Sequence, residues 1–128
     1  MRLAFAGPFL ILTTFCLSPP ASAQSLVPGT WSGSVTDPYG HSKPVIYRVA
    51  GGTDSLSIVL SEGPGTQSVG FAGLHLKGDT LTFTWAGGAQ GSLVKCTLVR
   101  QAEGVYEGSC HDSQGRQGRM RMAPPARH

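Results

Sequence analysis

Charge is scarce in this chain. Acidic and basic side chains make up 13% of its 128 residues, ten Lys and Arg against seven Asp and Glu, and aromatic residues make up 8%. The charges are scattered, which describes a solvated surface and not a nucleic-acid footprint. No window carries the apolar spacing of an amphipathic helix. The four histidines, His41, His75, His111 and His128, show no metal-ligand spacing. His111 and Asp112 are adjacent, and neighbours in a strand point to opposite faces, so they do not make a catalytic dyad. A nucleophile elbow of the G-x-S-x-G kind is absent; in the nearest string, Gly29 to Gly33, Trp31 stands where the serine would be. No two acidic residues share a face in the way that hydrolytic acid–base chemistry requires. These absences argue against an enzyme and call for no metal or cofactor.

What is present begins with an export signal. Arg2 precedes an apolar run from Leu3 to Leu17, Pro19-Pro20 break it, and Ala21-Ser22-Ala23 form a small-residue cleavage site. Residues 1–23 are therefore expected to be removed, Cys16 with them, leaving one domain over residues 24–128 with no membrane span, secreted or periplasmic, and a monomer. Without Arg2 the mature chain keeps a small positive balance.

Glycine and proline fall between short runs of alternating apolar and polar residues, the signature of an all-β fold. Trp31, Gly33 and Val35 alternate with Ser and Thr. Val45, Tyr47 and Val49 follow, then Leu56, Ile58 and Leu60, then Leu74 and Leu76. Leu81, Phe83 and Trp85 oppose Thr80, Thr82 and Thr84, and Met120 and Met122 oppose Arg119 and Arg121. Turns are expected at Asp37–Gly40, Gly51–Asp54, Gly78-Asp79 and Asp112–Gly115, with a longer glycine-rich loop at 62–68. About eight strands with tight turns make a small antiparallel up-and-down β-barrel, closed by pairing the last strand with the first; a β-sandwich is the alternative.

The segment Ser92 to Asp112 predicts the most detail. If Ala102, Glu103 and Gly104 form a three-residue loop with Gly104 left-handed, Cys96 faces Cys110, Leu98 faces Gly108, Val99 faces Glu107 and Arg100 faces Tyr106. Directly paired antiparallel residues are about 4.5 to 5.5 Å apart, within the reach of a disulfide, and export to an oxidising compartment makes Cys96–Cys110 the expected bridge.

Gly29-Thr30-Trp31 opening the first strand of a meander that ends in arginines resembles the G-x-W start of the calycin group, which comprises lipocalins, fatty-acid-binding proteins, avidins and bacterial metalloprotease inhibitors. The resemblance implies a barrel closed at one end by Trp31, with Arg119 or Arg121 packed across it, and a small apolar ligand inside. Trp31, Tyr47, Phe83, Trp85 and Tyr106, with Phe71, are the candidate ligand-binding residues; a domain of this size also needs such residues to fill its core. Protein–protein binding is the alternative, as in a periplasmic protease inhibitor whose segment Gln24 to Pro28 enters a protease, as is a structural envelope protein. Arg116, Arg119, Arg121 and Arg127 read as charge protecting an edge strand from aggregation, or as a stripe facing an anionic partner, glycan or lipid head group.

Overall fold

The computed structural model describes residues 26–51 and 55–126. The export signal, Gln24, Arg127, His128 and most of the Gly51–Asp54 turn lie outside them. Nine strands form one antiparallel sheet: β1 (Gly29–Thr36), β2 (Ser42–Ala50), β3 (Ser57–Ser61), β4 (Val69–Gly70), β5 (Ala72–Lys77), β6 (Thr80–Trp85), β7 (Val94–Arg100), β8 (Tyr106–Asp112) and β9 (Gln117–Ala123).

The strand order is β4-β3-β2-β1-β9-β8-β7-β6-β5. First and last strands pair, Val35 facing Met120 and Ser34 facing Arg121. The two outermost strands, β4 and β5, are separated in sequence by Phe71 alone, and the Phe71 N–H donates to the Ile58 carbonyl at 2.9 Å. The sheet's free edges are thus halves of one bent strand, the first paired with β3 and the second with β6, and the barrel is nearly closed. The change of partner falls at Phe71, and a register shift follows between Ala72 and His75, with Gly73 left-handed at φ 61°. The extra residue of such a bulge bends the strand just beyond the change of partner.

The β7–β8 hairpin has the register that the turn chemistry predicts: Cys96 faces Cys110, Leu98 faces Gly108, Val99 faces Glu107 and Arg100 faces Tyr106. The disulfide joins Cys96 to Cys110 inside the barrel, with Cα atoms 4.0 Å apart. Glu103 shares the left-handed turn with Gly104, at φ 62° and 79°.

Alternation places Val45, Tyr47, Val49, Ile58 and Leu60 inside from β2 and β3, and Leu81, Phe83, Leu98, Met120 and Met122 inside from β6, β7 and β9. Phe71 is the hub of this core, stacked on Phe83 with ring centroids 4.1 Å apart and edge-on to Tyr47 and Trp85 at 6.2 and 5.8 Å. Such ring pairs contribute about 0.5 to 1.5 kcal/mol each beyond their buried area.

The ends of the barrel differ. At the end holding the β7–β8 turn and the chain's first described residues, Leu26 is buried, Trp31 is 2% exposed, and its indole donates to the Val27 carbonyl at 2.7 Å. Tyr106 packs beside Trp31 at 6.2 Å. Arg119 and Arg121 do not cross Trp31 as the calycin resemblance implied: they alternate with the buried Met120 and Met122 and are exposed on the outer wall. Nor is β9 an edge strand, since β1 and β8 pair with it on either side, so edge protection does not account for its arginines.

Candidate functional site

The opposite end stays open, and its turns decide its shape. The β1–β2 and β8–β9 turns, Asp37-Pro38-Tyr39-Gly40-His41 and Asp112-Ser113-Gln114-Gly115-Arg116, are built alike. In the first, the Asp37 N–H donates to the His41 carbonyl at 2.9 Å and the Gly40 N–H to the Asp37 carbonyl at 3.0 Å. In the second, the same two bonds join Asp112 to Arg116 and Gly115 to Asp112, each at 3.1 Å. Gly40 and Gly115 take the left-handed conformation each turn requires, at φ 90° and 81°. Glycine does so without the clash a Cβ would cause.

Each aspartate holds its own turn. Asp37 Oδ1 accepts the N–H groups of Tyr39 and His41, both at 2.9 Å, and Oδ2 lies 3.3 Å from His41 Nδ1. Asp112 Oδ1 accepts those of Gln114 and Arg116, both at 2.9 Å, and Oδ2 accepts Arg116 Nε at 2.8 Å. The His41 N–H above all holds the Asp37 carboxyl below the usual carboxylate range. Burial pushes Asp112 up, but the N–H groups of Arg116 and Gln114 and the guanidinium outweigh it, so its carboxyl also lies low. Arg116 links the two turns by donating to the Tyr39 hydroxyl at 3.4 Å.

Between these turns and the β6–β7 connection lies a cavity of about 460 Å³. Val35, Trp85 and Val94 supply its apolar lining, and Tyr39, Lys43 and Arg116 stand among its polar residues. Lys43 is held by Glu62 of the β3–β4 loop at 2.6 Å. Gly87 lies directly on the Trp85 indole: a Cβ there would sit 2.3 Å from Cζ2, so only glycine lets the chain cross the ring. The Trp85 Nε1 is buried and has no acceptor among the described residues. A buried donor without a partner costs about 1 to 3 kcal/mol, an unusual tolerance in a small domain.

Of the candidate ligand-binding residues read from the sequence, Trp85 alone lines this cavity; Arg116, read there as part of a basic stripe, lines it too. Tyr47 and Phe83 are packed in the core, and Trp31 and Tyr106 lie together at the closed end. Burial pushes the Tyr47 phenol far above its ordinary value, and burial also raises Tyr106, with Arg100 opposing it and Asp79 adding to it. Sequence reasoning missed Tyr39, Val94 and the Asp112–Arg116 pair. The repeated D-x-x-G-basic pattern at two turns was the signal available for the last of these. Among the described residues no helix is long and apolar enough to cross a membrane, and no group of three or more His, Cys, Asp and Glu could hold a metal. No known protein family, curated protein or solved structure matches this chain.

Proposed function

We propose that this chain is a small-molecule binding module of the calycin kind, exported from the cell and without enzymatic activity, whose ligand sits in the open mouth of the barrel and not at its centre. The observation that carries this reading is the contrast between the two regions. The centre is occupied by the Phe71–Phe83 stack, the disulfide and the two methionines, whereas the mouth keeps a cavity of about 460 Å³ beside Trp85. That volume falls in the range of small-ligand sites, and an apolar lining with a few polar groups is their usual composition. The ligand is accordingly small, with an apolar body against Val35, Val94 and Trp85 and a polar edge among the turns. Asp37 and Asp112 each accept several hydrogen bonds from their own turns, which favours a structural role over acid–base chemistry.

Protein binding through the same end is the second reading, favoured by Tyr39 and Leu93, 72% and 65% exposed on neighbouring connections of the mouth. Inhibition by the N-terminal segment is less well supported, because Leu26 is buried in the core and would have to be withdrawn to enter a protease.

The test uses 1-anilinonaphthalene-8-sulfonate with the folded protein. Saturable binding at one site that quenches Trp85 but not Trp31, measured in Trp31→Phe and Trp85→Phe variants, and that is lost in Val94→Arg, supports the mouth. Quenching centred on Trp31, or binding untouched by Val94→Arg, overturns it.

A further inference from the structure

Cations that are dispersed along the sequence come together on one wall of the barrel. Lys95 of β7 faces His111 of β8, His111 faces Gln117 of β9, and Arg119 follows on the same outer face. Arg121 continues the row, two residues further along β9 and about 7 Å away. Arg119 is the diagonal neighbour of His111, about 7 to 8 Å off. All four side chains are exposed.

Three other cations of the protein are engaged, Lys43 with Glu62, Arg100 with Asp79 and Arg116 with Asp112. Lys95, Arg119 and Arg121 form no ion pair among the described residues, although Glu107 stands directly across from Arg121. Arg119 and Arg121, two residues apart on the same face of β9, repel each other. With β9 paired on both sides, the wall gains no edge protection in return.

Between the cations lies a row of hydroxyls. Thr82, Thr97, Ser109, Arg119, Thr36 and Ser42 are successive cross-strand partners on the outer face. The outer face of β7, β8 and β9 carries no Phe, Tyr or Trp. It therefore offers no platform for stacking bases, and no aromatic anchor for a bilayer. Cations interleaved with hydroxyls on a stiff, convex sheet complement a chain that itself alternates anionic groups and hydroxyls.

We infer that the outer wall formed by β7, β8, β9 and β1 is a docking surface for an acidic polysaccharide, with Lys95, Arg119 and Arg121 contacting its anionic groups. This surface borders the mouth at Thr36 and Ser42, but Lys95, Arg119 and Arg121 do not line the cavity, so its test is independent of the ligand there.

Heparin serves as the probe, with retention and affinity followed against NaCl concentration. Each cation withdrawn from an anionic group should reduce the slope of log K against log[salt] by roughly 0.7, the scale of a single-stranded polyanion. Arg119→Gln/Arg121→Gln is expected to lower the slope by about 1.4 and to weaken binding at least about tenfold at ~0.1 M salt. Lys95→Gln/Arg119→Gln repeats the test on two strands, and Arg48→Gln/Lys77→Gln removes the same charge from β2 and β5. Equal weakening in that control would reduce the effect to net charge and overturn the inference. So would an absence of binding at ~0.1 M salt, or tighter binding to a single-stranded oligonucleotide of matched charge than to heparin.

Discussion

The hydroxyl of Tyr47, on β2, reaches past β1 to donate to the backbone carbonyl of Arg121 on β9, at 2.9 Å, with the Ser34 carbonyl of β1 3.4 Å away. One side chain thereby ties together the three strands at which the end of the chain meets its beginning. Gly33 makes this possible, since a Cβ there would lie 1.8 Å from the same Arg121 oxygen.

Tyr47→Phe leaves that carbonyl without its side-chain partner, and the expected loss is about 1 to 3 kcal/mol in urea unfolding. The phenol also ties stability to alkaline pH. Its folded value is raised above the unfolded 10.0, so its contribution is complete below pH 10.0 and declines as pH rises through the folded value. Unfolding midpoints taken from neutral pH to above pH 10 should fall more steeply for the wild type than for Tyr47→Phe. Parallel curves would remove Tyr47 as the cause.

Gly108 and Gly70 should respond oppositely to alanine. A Cβ at Gly108 would lie 1.9 Å from the Thr97 carbonyl oxygen, a clash with backbone that cannot turn aside, whereas Gly70 has nothing within 4 Å and no positive φ. Gly108→Ala is expected to cost about 1 to 3 kcal/mol or more, the scale of an overpacked core. Gly70→Ala should be neutral or stabilising by about 0.4 to 1 kcal/mol, through reduced freedom of the unfolded chain. Thermal unfolding of both variants checks the contrast.

The carboxyl of Asp112 gives the opposite pH dependence. Its folded value lies below the ordinary 3.8, so it stabilises the fold above pH 3.8 and the contribution disappears as pH falls through the folded value. Asp112→Asn should be less stable than the wild type at pH 7, and the gap should close on acidification. A gap that persists at about pH 2 would assign the effect to the turn's geometry instead of its charge.

Removing the disulfide tests how much the hairpin depends on it. Cys96 and Cys110 are 14 residues apart, and a loop of that size corresponds to about 3 kcal/mol. Cys96→Ala/Cys110→Ala should unfold at correspondingly lower urea while amide exchange still reports the Leu98–Gly108 and Arg100–Tyr106 pairings. Loss of those pairings would mean that the bridge, and not the turn, sets the register.

Much of this architecture is written locally. Alternation along a strand states which residues face inward, and a turn with a left-handed residue states which residues meet across it. Sequence alone therefore determined the all-β class, the pairing of Cys96 with Cys110 and the inward face of nearly every strand. Depth inside the barrel is not local. It depends on how far each strand slides past the next, and that slide put Trp31 and Tyr106 at the closed end, Tyr47 and Phe83 in the packed middle and Trp85 alone beside the cavity. Phe71 lies in a glycine-rich stretch with no period of its own, and only closure of the sheet made it the hub of the core. The same closure set β9 between β1 and β8 and brought Lys95, Arg119 and Arg121 onto one wall, because the proximity of strands distant in sequence is decided by pairing across the whole barrel and not by any window of residues.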